Sequence, residues 1–351
     1  MQNILVTGGA GFIGSHTCLA LLEKGYNLLV IDSLVNSSLD VINKINKFYK
    51  SRHADSKNEI EFFKVDLRNE NFVNNIFEDY SKRNKKIDAV IHFAGLKSVN
   101  ESTLIPLKYW DFNLKGTINL LKIMDKHNCR NLVFSSSATI YGSKQGNKLL
   151  EENCKINPIN TYGHTKAVIE QILNDLSKLK NKQWRIASLR YFNPIGAHNS
   201  GIIGENPLKN ENNIIPIVNK VAAGFVDELL IYGNDWDTHD GTGIRDYIHV
   251  MDLADGHMLA LENILNDKFK YIQLNMGTGI GTSVLELIST YQKVNKVNVR
   301  YRFCKRREGD VSFSVADNSL AKRLLNWEPK RDLSKMCSDS WNWFKINKKG
   351  F

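Results

Sequence analysis

The chain has 351 residues, of which 42% are hydrophobic and 24% charged, with a formal net charge of +10. That length accommodates one large domain and a smaller one around a full core, and no apolar run approaches the roughly 20 residues needed to cross a bilayer. The lysine excess is spread over solvated segments such as 44–57 and 178–182, a distribution that suits an anionic small molecule better than a nucleic acid or a membrane surface.

Apolar runs at 4–6, 28–31, 60–65, 89–93, 132–135 and 186–189 read as buried strands separated by helix-length amphipathic segments. Behind the first lies VTGGAGFIGSH, with Gly8, Gly11 and Gly14 between a strand and a helix whose apolar face includes Ile13, Thr17, Ala20 and Leu21. Such a turn points backbone amides and a helix N-terminus at a phosphate. The second strand ends in VIDS, which places the Asp32 carboxylate where it accepts from a ribose 2′-hydroxyl and repels a 2′-phosphate, favouring NAD over NADP. Residues 40–58 are polar and lysine-rich and read as a surface excursion. In FSSSATIYG, after the strand at 132–134, one of Ser135, Ser136 or Ser137 stands at the strand end where ligands bind, placed to hydrogen-bond a reacting oxygen.

TYGHTK follows. Tyr162 and Lys166 are an i, i+4 pair continued by Val168, Ile172, Leu176 and Leu179, so both fall on one helical face, with Pro158 and Thr161 at the helix entrance. An ammonium about 4 Å from a phenol contributes roughly 4 kcal/mol at an effective dielectric of about 20, or about three pKa units, which brings the phenol toward neutrality as a general base. Gly163 weakens that helix and implies a close backbone approach. After 191 the rhythm loosens at Pro194, Gly196, Gly201, Gly204, Pro207 and Pro216. The whole predicts an α/β chain: a Rossmann-type doubly wound parallel sheet binding NAD over 1–191, then a smaller C-terminal α/β substrate domain over 192–351, with the chain free to cross back. The start of the sequence has no secretory signal pattern, and Cys18, Cys129, Cys154, Cys304 and Cys337 form no CxxC pair. A cytoplasmic location, no disulfide framework and no metal are expected.

The set GGAGFIG, HFAGLKSV, SSSATIYG, YGHTK, RYFNPIGAH, GTGIRDYIHVMDLADGH and RREGD, running from Gly8 to Asp310, resembles the extended short-chain dehydrogenase/reductase family and within it the UDP-glucose 4-epimerases. The resemblance implies epimerisation of UDP-glucose and UDP-galactose by reversible hydride transfer from sugar C4 to NAD through a 4-keto sugar. It makes Tyr162 the base, Lys166 its activator and a ribose ligand, and Ser137 the hydroxyl on the sugar O4. Phe12 and Ile13 meet the pyrophosphate, although tyrosine is common at the first position; Asp32, Ser33, Asn36 and Ser37 meet the adenosine ribose, and Asp66 and Leu67 the adenine. Phe93, Ala94, Gly95, Lys97, Asn113 and Phe192 complete the dinucleotide contacts. Lys97, Asn193, Asn213, Leu230, Tyr232, Arg245, Arg307 and Asp310 hold the UDP-sugar, the two arginines suiting its diphosphate.

In this family the residue four beyond the aspartate of RREGD gates the sugar 2-substituent, and here it is Ser314, small enough to admit an N-acetyl group unless another side chain, such as one from the 199–213 loop, fills the space. UDP-N-acetylglucosamine and UDP-N-acetylgalactosamine are thereby expected substrates, and a homodimer is expected from the family. A 4,6-dehydratase shares the fold but has an acid pair where this chain has Ala138 and Thr139. A non-enzymatic NAD-binding protein of this fold is expected to lose Tyr162 or Lys166, and both are present.

Overall fold

A computed structural model describes residues 2–56, 58–143, 148–207, 213–307, 309–348 and 350. Strands and helices alternate through the first half: β1 (Asn3–Thr7), α1 (Phe12–Glu23), β2 (Asn27–Asp32), α2 (Asp40–Arg52), β3 (Ile60–Lys64), α3 (Glu70–Lys82), β4 (Ala89–His92), α4 (Val99–Leu104), α5 (Pro106–Tyr109), α6 (Gly116–Lys126), β5 (Asn131–Ser137), α7 (Thr161–Ser177) and β6 (Arg185–Tyr191). A π-helical segment, Trp110–Lys115, joins α5 to α6. The second half adds β7 (Asn193–Ile195), α8 (Ile214–Ala222), β8 (Leu229–Tyr232), β9 (Ile244–His249), α9 (Val250–Leu265), β10 (Tyr271–Met276), β11 (Gly281–Ser283), α10 (Val284–Asn295), β12 (Tyr301–Cys304), β13 (Phe313–Ser314), α11 (Ser319–Leu325) and α12 (Leu333–Ile346).

The principal sheet has seven strands in the order β10-β6-β5-β4-β1-β2-β3, and every pairing in it is parallel. Parallel strands are covered on both faces, which is why β1 and β4 are apolar and buried from end to end rather than alternating. The order reverses between β1 and β4, opening a crevice at their carboxyl ends. Helix α1 borders that crevice and is buried from Gly14 to Leu22, because α2 and α9 pack on it from two sides. Its buried surface is therefore wider than the single apolar face expected from the sequence.

One part of the sequence reading changes. The segment at 40–58 contains a helix, α2, whose Val41, Ile42, Ile45 and Tyr49 are buried at three- and four-residue spacing beneath the lysines. The large sheet also gains β10 from the second half, paired with β6 from Tyr271↔Ile186 to Met276↔Tyr191, and α9 and α11 pack beside it. The remaining strands form a smaller sheet, in which β9 pairs with β7 and β13 in parallel and with β11 antiparallel, and a parallel pair, β8 with β12. Ile195, Val218, Leu229, Ile231, Tyr247, Leu287, Tyr291 and Met336 make its core.

Candidate active site

The cavity above the sheet begins at the glycine-rich turn. Gly8 has φ +72°, and a Cβ there would lie 2.6 Å from the Ala94 amide nitrogen; at Gly14 it would lie 2.3 Å from the Gly8 carbonyl oxygen. Only glycine allows β1, α1 and the loop after β4 to meet this closely. Helix α1 starts after Gly11 with no side-chain cap and no acidic residue in its first turn, so its positive end faces the cavity uncompensated. At the end of β2, the Asp32 carboxylate accepts from the Ala10 amide at 3.0 Å, the Leu34 amide at 2.9 Å and the Ser37 hydroxyl at 3.0 Å. Burial pushes its carboxyl up, and these donors pull it back. Farther along, Arg68 forks onto Asp66, pairs with Asp111 and lies 3.5 Å from the centre of the Phe112 ring.

One cavity brings together Gly8, Gly11, Phe12, Ile13, Gly14, Asp32, Ser33, Asn36, Ser37, Asp66, Leu67, Phe93, Ala94, Gly95, Lys97, Tyr162 and Lys166. Asn113 and Phe192 were expected there and are not. Asn113 is buried, with its amide nitrogen bonded to the Leu96 carbonyl at 3.0 Å and to Thr165 at 3.2 Å and its amide oxygen receiving the Leu96 N–H at 2.8 Å. With both ends bonded, it holds the 94–97 loop, which lines the cavity, against α7. Phe192 packs with Ile140, Tyr141, Leu150 and Ala316, an apolar backing for the strand end. The sequence reading did not single out Phe112, Tyr191 or Glu205, all of which line the cavity. Tyr191 is the second residue of the quoted RYFNPIGAH motif and bonds His257, whereas nothing in the local pattern marks Glu205.

Helix α7 supplies the pair. Its cap is Asn160, whose side chain accepts from the Gly163 N–H at 2.8 Å, one residue before the expected Thr161. The close approach inferred for Gly163 is real: a Cβ would lie 2.9 Å from both the Thr139 carbonyl and the Pro158 Cβ. Lys166 is buried, donates to the Ser135 carbonyl at 2.6 Å and stands 5.8 Å from the centre of the Tyr162 ring. Ser137 accepts from the Thr139 amide at 3.2 Å and hydroxyl at 2.9 Å, and stands near enough to the Tyr162 phenol to favour its ionised form.

The electrostatic expectation is corrected here. Burial pushes Tyr162 up to about 12, with Ser137 pulling it back, and pushes Lys166 down to about 8, with Glu170 opposing. The ammonium is turned to a backbone carbonyl, so the desolvation of the phenol outweighs its attraction to the cation. Below the pair, Glu170 and Arg190 form a fully buried ion pair of 2.6 Å. Glu170 also takes the Ser136 hydroxyl at 2.5 Å and the Gln273 amide at 2.7 Å, which ties α7 to β5, β6 and β10.

Of the second-half residues assigned to the UDP-sugar, Asn213 is the one that lines that cavity. Tyr232, near Leu230 on β8, has its ring centre 4.1 Å from the Arg307 guanidinium carbon. Asp310 lies between Arg307 at 3.7 Å and Arg245 at 3.9 Å, and Ser314 on β13 is in register with Arg245. Asn193 opens β7, opposite Tyr247. Residues 208–212 of the loop that could fill the space near Ser314 lie outside the described residues.

A family model described as GDP-mannose 4,6 dehydratase matches residues 5–340. The UDP-glucose 4-epimerase of Bacillus subtilis (strain 168) is 47% identical over 348 residues, covering 99% of this chain and 98% of that one. Among solved structures, UDP-glucose 4-epimerase from Bifidobacterium longum in complex with NAD+ and UDP has a TM-score of 0.92 at 41% identity, covering all of both chains. That from Stenotrophomonas maltophila, with bound NAD and formylated UDP-arabinopyranose, has a TM-score of 0.91 at 44% identity, covering 99% of this chain and 98% of that one. Likeness of this order, sustained from one end of the chain to the other in both sequence and fold, means that the chain belongs to the UDP-glucose 4-epimerase family of extended short-chain dehydrogenases/reductases.

Proposed function

We propose that the chain is an NAD-dependent enzyme that interconverts UDP-glucose and UDP-galactose at sugar C4. The observation that supports this best is buried Lys166 beside Tyr162, with Ser137 close to the phenol, at a cavity that begins at the glycine turn. The turn fits a dinucleotide, because it leaves a helix end uncapped and a cradle that any Cβ would fill. Bound NAD would supply a reversible hydride acceptor at C4. Asp32 would hold its adenosine ribose, and Asp66 and Leu67 its adenine.

Tyr162 takes the proton from the sugar O4 as C4 is oxidised and returns it afterwards, Ser137 fixes O4, and Lys166 supplies the positive charge that favours the phenolate. Arg245 and Arg307 hold the diphosphate, with Asp310 keeping their forks aligned and Asn193, Asn213, Leu230 and Tyr232 around the nucleotide sugar. A 4,6-elimination requires an acid near C6. The two positions after Ser137 are Ala138 and Thr139, and the Thr139 hydroxyl is committed to Ser137, so epimerisation is the better reading.

Substrate breadth turns on Ser314, whose small side chain beside Arg245 leaves room for an N-acetyl group at C2. A homodimer is favoured by the packed helices α4, α5 and α7, on which Leu104 and Leu107 are 82% and 81% exposed and Val168 is also exposed. Among the described residues no helix is long and apolar enough to cross a membrane, in keeping with a cytoplasmic location. The test is proton NMR of the purified protein incubated separately with UDP-galactose and UDP-N-acetylgalactosamine. Conversion of both to their 4-epimers is expected. Conversion of the first alone would mean that the space at Ser314 is closed, and conversion of neither would remove the epimerase reading.

A further inference from the structure

Glu205 has no place in the roles above, yet it is 7% exposed and lines the cavity. Its backbone is held from behind: a Cβ on Gly204 would lie 2.5 Å from the Trp343 ring, so α12 presses on this segment and fixes where the carboxylate points. One carboxylate oxygen, Oε1, receives the Lys97 ammonium at 3.1 Å and also the Asn213 side-chain amide. The other, Oε2, is buried and meets no hydrogen-bond donor among the described residues. The carboxylate is thus placed by its two donors on Oε1 and by α12 behind it.

We infer that Glu205 is a positioning residue of the substrate site: its Oε1 holds Lys97 and Asn213 together at the cavity wall, where both meet the bound sugar nucleotide. This rests on the epimerase reading. The two side chains that Glu205 holds are those assigned to the sugar nucleotide rather than to the dinucleotide alone. Lys97 neutralises the carboxylate, which lets a diphosphate-bearing substrate approach without net repulsion.

The experiment compares wild type, Glu205→Gln, Lys97→Met and the double variant in UDP-galactose turnover, together with the NAD content of each protein. The glutamine keeps the shape and removes the charge. Its KM should rise about tenfold or more with kcat within about threefold, the pattern of lost binding rather than lost chemistry. NAD content should match wild type. The double variant should be no worse than the worse single one, because the two side chains act as a unit. An unchanged KM in Glu205→Gln, effects that simply multiply in the double variant, or loss of NAD in place of a KM effect would each overturn the inference. Wild type without turnover would instead overturn the epimerase reading, so the two failures are distinguishable.

Discussion

Tyr162 is a phenol that its surroundings keep protonated and that catalysis requires to be a base. With its pKa pushed up to about 12, almost none is ionised at neutral pH, so kcat/KM should climb as the pH rises through about 6 to 8. Lys166, pushed down to about 8, then loses the charge that favours phenolate, and the climb should flatten or reverse. Initial rates across that range test this; a profile flat on both sides would remove the pair from the chemistry. Tyr162→Phe should lower kcat by about 10²-fold or more, with the Ser137 hydroxyl and the fold intact. The residues of this pair were legible because phenol, ammonium and glycine stood at helical spacing after a serine-tipped strand. Their energetics were not, because the direction of the lysine side chain and the burial of the phenol depend on β5 passing beneath α7, which spacing alone does not convey. Glu205 was illegible for a related reason: its partners stand at positions 97 and 213, and only the folded chain brings the three together.

Elements behave more predictably, and α1 is the clearest case. At Gly14 the nearest atoms to an added Cβ are backbone atoms of the Gly8–Gly9 turn, which have no flexible end to swing aside. Gly14→Ala should therefore push α1 off the turn, costing about 1–3 kcal/mol and most of the bound NAD. Thermal midpoint and cofactor content measure both; full NAD content in the variant would contradict the role of the cradle. The alternation of strand and helix through β6 was legible because parallel strands buried on both faces are apolar runs, and the glycines marked where the first ended. Helix α2 was misread since its lysines dominate the composition while its buried residues are only Val41, Ile42, Ile45 and Tyr49. The bonds of Asn113 were not legible: it stands in the π-helical segment, turned to the backbone of Leu96, 17 residues earlier in the chain.

At the scale of the whole molecule, burial of imidazoles sets the acid limit. His16 and His92 are lowered to about 3 and His257 to about 4, each chiefly by burial. Between those values and the unfolded value near 6.5, the unfolded chain binds more protons than the folded one. Stability is therefore intact above about pH 6.5 and falls as the pH drops below it, by about 2 kcal/mol for each such histidine at about pH 5. Thermal midpoints at the two ends of that window should differ clearly, and equal midpoints would contradict the neutral burial of these rings.

The return of β10 to the far side of β6 has a consequence for how the protein is made. Until residues 271–276 emerge, a nascent chain holds β6 as an open edge, its row of unpaired amides and carbonyls running beside Ile186 and Leu189. Such an edge is a template for pairing with any other extended chain. A fragment cut at 191 should consequently aggregate on expression even though it contains the glycine turn, Tyr162 and Lys166, and a polypeptide extended through 276 should be the first in which β6 is paired on both sides. Synthesis of the second half is thus the step that protects the first.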